Sequence, residues 1–176
     1  VSDNGALMIS KRPAAFDDTL HEGFLPCTEN SFVRQGFRFL GDEYGWGGLD
    51  DSVDCSSFVG DVYRSMGIEL PRDADQQAKS MPKVVDFSGM GEADRLAALE
   101  ACVPGTLLAN NTHVMMYLGQ DDDGTPIVLQ SMSSWFSFGS DYGKHYLRKV
   151  IASTATFLNF SGVPYINGVH YLGSLR

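Results

Sequence analysis

An α+β fold, with N-terminal helices packed on a C-terminal antiparallel sheet, is predicted by three observations. Before Pro104 the apolar residues recur at helical spacing. After it, short apolar runs alternate with turn residues, the pattern of antiparallel strands. Finally, 176 residues with 43% apolar and 20% charged side chains are enough for one domain with a substantial core.

Residues 1–22 read as an irregular arm or the remnant of a connection, and residues 23–176 as the domain. The chain opens on Val1 without a basic-then-apolar leader, which reads as a mature form with its leader removed or a fragment of a longer chain. Thr28 to Gly41 predicts a first helix. Thr28 caps it, Phe32, Val33, Phe37 and Leu40 share a face, and Gly41 ends it in the left-handed conformation. Tyr44 to Gly48 ("YGWGG") is too rich in glycine for a helix interior and reads as a loop. A second helix begins near Cys55, with Phe58, Val59, Val62, Tyr63 and Met66 on one face, Asp54 or Ser52 as cap, and Gly67 as its end. A weaker helix spans Glu92 to Val103. The runs "GTLLA", "THVMMYLG", "PIVLQSM", "KVIAS" and "GVHYLGSL" follow as strands, with "QDDDG" as a hairpin turn.

A net charge of −9 with no dense Lys/Arg cluster sets nucleic acid aside as a partner. No apolar run approaches the roughly 20 residues that span a bilayer, so no membrane insertion is expected. Cys27, Cys55 and Cys102 form no CxxC, and His21, His113, His145 and His170 lack ligand spacing, so no metal is expected. Free thiols are the expectation for Cys27 and Cys102, a disulfide between them the alternative.

Cys55 falls in the first turn of its helix. Unpaired N–H groups there carry partial positive charge, which lowers a thiol pKa and supplies an oxyanion donor. Position alone leaves Cys55 open as a nucleophile or as a small buried hydrophobe. A thiolate needs a base, and His113 stands at the mouth of a strand apolar throughout. If Gln120 to Asp123 form the turn, Gly119 faces Gly124 and His113 falls opposite Gln130, which would accept the ring N–H, with Ser131 as second choice.

"YGWGG", "DCSSFVGDVYRSMGIELPRDADQQ", "PGTLLANNTHVMMYLG" and "IVLQS" stand in the order of motifs of the NlpC/p60-type bacterial cell-wall cysteine peptidases, which this chain resembles over about residues 22 to 150. The resemblance implies a papain-like fold, Cys55 as nucleophile, His113 as base and Gln130 as the third polar residue. It implies Tyr44 as an oxyanion donor beside the Cys55 N–H. Asp54 and Ser56 match substrate-holding positions, Ser57 and Trp46 join them as candidate contacts, and Arg72 reads as a salt-bridge partner supporting the fold. The implied substrate is a peptidoglycan stem peptide, cleaved between γ-D-glutamate and a diamino acid without a cofactor. Asp54 near a terminal amine would favour stems already trimmed from glycan. An N-acetylmuramoyl-L-alanine amidase or transacylase, and a silent cell-wall binding module, are the alternatives. A secreted, periplasmic or envelope location is implied, with a cytoplasmic recycling role also compatible. "HEGFLPCTENSFVRQGFRFLG" resembles the lead-in of members with N-terminal SH3-like domains, which implies a longer parent chain. Ser57 departs from the usual glycine, Thr112 replaces the glycine before the histidine, and Asp73 follows Arg72 where Asn, Ser or Thr is usual.

Overall fold

The computed structural model describes residues 22–49 and 51–176. His21 and all but the last residue of the expected arm lie outside the described residues. Among the described residues, four α-helices precede or interrupt the strands: Glu29–Arg38 (α1), Cys55–Arg64 (α2), Ala74–Lys79 (α3) and Glu92–Glu100 (α4). The strands are Lys83–Asp86 (β1), Leu107–Ala109 (β2), Val114–Gln120 (β3), Pro126–Ser137 (β4), Gly143–Thr154 (β5) and Tyr171–Ser174 (β6). They form one sheet in the order β1-β6-β2-β3-β4-β5, antiparallel at every pairing. The α+β expectation holds.

Pleating sorts the central strands onto two cores. Leu107, Val114, Met116 and Leu129 pack with Phe58, Val59, Val62 and Tyr63 of α2. Their sequence neighbours Leu108, Met115, Tyr117 and Val128 pack on the other face with Leu99, Ile166 and Val169. Both faces of β3 are covered, which is why its sequence is apolar without alternation. Phe58, Val59 and Val62 are fully buried. At about 1.5–3 kcal/mol each, such side chains hold α2 on the sheet, and with it the helix start that carries Cys55.

Several local expectations need correction. Thr28 does cap α1, its hydroxyl accepting from Ser31 N–H at 3.2 Å. The buried face of α1, however, runs through Phe32 and Gly36, while Phe37 and Leu40 are exposed. Gly36 faces the Leu129 and Met116 side chains so closely that a β-carbon would meet both at 2.7 Å. The helix therefore turns its smallest residue inward. Helix α4 stops at Glu100, short of Val103. Neither α3 nor β1 was expected. Helix α3 is a six-residue segment, too short to display a period. All three cysteines are free thiols.

The β3–β4 register also differs from expectation. Gln120 pairs with Pro126 and Gly119 with Ile127, then a bulge at Leu118 shifts the pairing to Tyr117 with Val128 and Met116 with Leu129. Extended one step, this register puts Gln130 beside Met115 rather than His113. The longer turn, five residues between Gln120 and Pro126, displaces the pairing by an odd number of residues, and the bulge restores an even displacement. Gln130 thus remains on the face of His113, as its diagonal neighbour. Without the bulge it would point to the opposite face.

Candidate active site

The start of α2 is closed by short-range hydrogen bonds. Asp54 is the N-cap; its Oδ1 accepts from Ser57 N–H at 2.8 Å, and Ser57 Oγ accepts from Asp54 N–H at 2.8 Å. This is a reciprocal capping box. It accounts for Ser57: the hydroxyl completes the cap. Asp54 Oδ2 accepts from Gly47 N–H at 3.0 Å, and only a residue tolerating the φ of 82° at Gly47 presents that N–H easily. Arg72 ties the group together, one guanidinium nitrogen on Asp54 Oδ2 and the other on Ser56 Oγ. Behind it, Gln77 Nε2 donates to Ser56 O at 2.8 Å and Pro71 O at 3.0 Å.

His113 lies one residue before β3, with its N–H donated to Asn110 Oδ1 at 2.9 Å. His113 Nε2 lies 2.7 Å from Gln130 Oε1. A carbonyl oxygen only accepts, so Nε2 carries the proton and Nδ1 keeps its lone pair. The amide is oriented in turn: Gln130 Nε2 donates to Ser153 Oγ at 2.7 Å, and Ser153 donates to Thr154 O at 3.2 Å. Ser131, the second choice for this role, instead donates to Val53 O at 2.8 Å and anchors the loop entering α2.

Cys55 and His113 line one cleft of about 240 Å³ together with Tyr44, Trp46, Trp135 and Tyr165. Tyr44 is placed there by backbone pairing, its N–H donated to Arg148 O at 2.9 Å and its strand bridged to Val53. Cys55, Tyr44, His113 and Trp46 are thus brought to the same space. Asp54, Ser56 and Ser57 sit beside it, with their hydrogen-bonding groups largely engaged. Trp46 is 83% exposed on the rim. Of the other histidines, His145 stacks on Trp135 at 4.9 Å and His170 is exposed near Asn111.

The electrostatics correct one expectation. Burial pushes the Cys55 thiol up from its ordinary value; the Val114 amide donating toward the sulfur opposes this, and the Asp54 charge adds to it. Desolvation leads these causes and the neighbouring carboxylate adds to it, against the hydrogen bonds from Val114 and Ser56. Burial also holds the His113 imidazole below its ordinary value, with the Gln130 hydrogen bond in partial opposition. Both shifts favour the neutral thiol and the neutral imidazole. Burial works to raise Asp54, but hydrogen bonds from Arg72 and Ser57 outweigh it and keep the carboxylate ionised.

Four residues of the site escaped sequence reasoning. Ser153 is matched to Gln130 only across the β4–β5 ladder, where it pairs with Val128. Asn110 carries no sequence signal for its role: its side chain accepts from the Thr112 and His113 N–H groups and donates to Tyr165. Phe157 and Tyr165 come from the segment before β6. No local signal marks either as part of the cleft.

The NlpC/P60 family model matches residues 41–149. Two curated γ-D-glutamyl-L-lysine dipeptidyl-peptidases are similar to the chain, from Bacillus subtilis (strain 168) and Bacillus cereus (strain ATCC 10987 / NRS 248). The first is 39% identical over 70 residues, covering 39% of this chain and 23% of that protein. The second is 31% identical over 91 residues, covering 51% and 26%. The chain thus spans about a quarter of the length of these relatives. Among solved structures, an NlpC/P60 endopeptidase from Photobacterium damselae subsp. piscicida superposes with a TM-score of 0.59 at 22% identity, over 72% of this chain and 32% of that one. An NlpC/P60 family protein from Bacillus cereus gives 0.54 at 23%, over 86% and 41%. A Mycobacterium tuberculosis domain described as non-catalytic and adapted to peptidoglycan binding gives 0.50 at 17%, over 84% and 97%. That last likeness is a reminder that this fold alone does not carry the activity. With its papain-like α+β fold and a family match over more than half its length, the chain belongs to the NlpC/P60 family.

Proposed function

We propose that this chain carries the catalytic domain of a cysteine endopeptidase that cleaves peptidoglycan stem peptides between γ-D-glutamate and the following diamino acid. The observation that carries the reading is the polarised line from His113 through Gln130 to Ser153, in the cleft that holds Cys55. It leaves His113 Nδ1 as the acceptor a neutral thiol needs. The two curated relatives named for γ-D-glutamyl-L-lysine support the choice of bond. The substrate places the action at the cell envelope.

In the first half-reaction Cys55 gives its proton to His113 Nδ1 as the sulfur attacks the γ-amide carbonyl. The oxyanion is met by the Cys55 N–H at the helix start, with Tyr44 as a second donor. One such donor is worth on the order of 3 kcal/mol. The imidazolium is stabilised through Gln130, an amide that orients the ring without adding a charge. Collapse expels the amine, which takes the proton from His113, and leaves a thioester. Water then attacks the thioester as His113 takes its proton, and Cys55 recovers the proton as the D-glutamyl γ-carboxylate departs.

Asp54 bears on substrate preference. Its carboxylate is already paired with Arg72 and committed to the helix cap, which weakens the case for an ammonium-binding role and for a preference for trimmed stems. Mass spectrometry of digests separates the possibilities. Intact sacculi and free L-Ala-γ-D-Glu-L-Lys are incubated with wild type and with Cys55→Ala. Release of lysine by wild type alone supports the reading. Equal release by both proteins, or cleavage at the muramoyl–alanine bond instead, sinks it.

A further inference from the structure

Tyr165 opens a 3-10 turn, Tyr165–Gly168, beyond the stretch that matches the family model, yet its side chain lines the cleft with Cys55 and His113. Its ring is held on two sides. It stacks on Phe157 at 4.6 Å and 19°, and meets the His113 ring edge-on at 5.8 Å and 82°. Its backbone is held as well: the Arg95 guanidinium, buried without a carboxylate, donates to the carbonyls of Ile166, Val169 and Phe87. Such anchoring is unusual for a surface turn.

The hydrogen-bond polarity at the phenol is the informative feature. Asn110 Oδ1 accepts from the His113 and Thr112 N–H groups, so its amide must present Nδ2 to Tyr165. Nδ2 donates to the Tyr165 oxygen at 3.1 Å. The phenol is therefore an acceptor in that bond, and its own proton is unspent; among the described residues it finds no acceptor. Burial pushes Tyr165 up to about 12, the Asn110 bond opposing and the Cys55 charge adding, so the proton stays on at neutral pH.

Position decides what the proton meets. His113 must hand a proton to the departing amine, so the amine half of the substrate lies on the His113 side of Cys55. Tyr165 stands on that side, whereas Tyr44 enters with the loop before α2. We infer that the Tyr165 hydroxyl donates a hydrogen bond to the carboxyl oxygen carried by the amine half of the substrate, and so selects an α-amino acid over a simple amine as leaving group. The inference rests on the endopeptidase reading and deepens it, making Tyr165 a specificity-determining residue of the same site.

The test compares L-Ala-γ-D-Glu-L-Lys with the same acyl dipeptide joined to 1,5-diaminopentane, which is lysine without its carboxylate. Tyr165→Phe keeps the ring and its packing while removing the donor. Wild type should favour the lysine peptide, and Tyr165→Phe should lower kcat/KM for it by about tenfold while leaving the diamine substrate unchanged. Unchanged turnover of the lysine peptide, or an equal fall on both substrates, would overturn the inference, the second outcome marking a merely structural role. Calorimetric binding of the two ligands in a Cys55→Ala background reads the same difference without turnover. About tenfold weaker binding of the lysine ligand alone on adding Tyr165→Phe supports the inference, and unchanged binding rejects it. If wild type cleaves neither peptide the endopeptidase reading fails by itself, and the binding comparison still decides the role of Tyr165.

Discussion

The two sides of the site, the α2 start that backs Cys55 and the far wall of the cleft, are built on opposite plans. The α2 side, which backs Cys55 beside the cleft, is polar and internally bonded: Asp54, Ser56, Ser57, Gly47 and Arg72 hydrogen-bond to one another. The far wall, from β4 and the segment between β5 and β6, is aromatic and open. Trp135, Phe136, Phe157 and Phe160 line it, with Phe160 58% exposed. A saturated wall holds a nucleophile still; an unsaturated aromatic wall has surface left to give a ligand. His113 lies between them, oriented from the far side by Gln130 and facing a thiol fixed from the near side.

If this division is right, substitutions on the two walls fail differently. Cys55→Ala should have the largest effect, lowering kcat by about 10⁴-fold or more with the fold intact, as measured by peptide hydrolysis beside circular dichroism. Gln130→Leu should cost about 10²-fold in kcat, the low end of a general-base contribution. It also carries a pH signature. Burial holds His113 below its ordinary 6.5, so the wild-type kcat/KM should stay high as pH falls to 6.5 and decline only below it, as the neutral base is protonated. Removing the Gln130 bond, which raises the His113 pKa, should move that acid limb to lower pH still. A limb that stays in place would make Gln130 a packing residue only.

Arg72→Met strikes the polar wall without touching the thiol. It leaves Asp54 buried and short of a partner, and should cost about 1–2 kcal/mol of stability, a modest figure because Arg72 is half-exposed and solvent screens the pair. The denaturant midpoint measures it. The smallest effect belongs to the aromatic wall: Trp135→Ala should raise KM by about three- to tenfold with little change in kcat or stability. A large kcat loss there would contradict the division of labour.

The two walls also differed in how far the sequence disclosed them. The cap at Asp54 and the helix start at Cys55 depend on neighbours within three residues, so local pattern found them. Ser57, three residues past the cap, belongs to the same local code, although its place at the usual family glycine points to substrate contact. The polar match of His113 and Gln130 falls on the correct face, but only because the Leu118 bulge offsets a turn longer than expected. Nothing in "MMYLGQDDDG" announces that bulge. Ser153, Arg95 and Tyr165 act through contacts across the ladder or across the second core, and their partners are mostly backbone carbonyls or single amides. Such contacts leave no periodicity and no paired charge to read. The thiol pKa ran opposite to expectation for the same reason: the helix-start field is local and legible, whereas desolvation belongs to the assembled fold.

The most direct trial of Cys55 as a nucleophile served by a neutral His113 is acid-quench mass spectrometry of the intact protein during turnover of L-Ala-γ-D-Glu-L-Lys. Wild type should carry one L-Ala-γ-D-glutamyl group, as a thioester mapped to Cys55, at pH values above the His113 limb and not well below it. Turnover without any adduct on Cys55, or equal turnover by Cys55→Ala, would contradict the account.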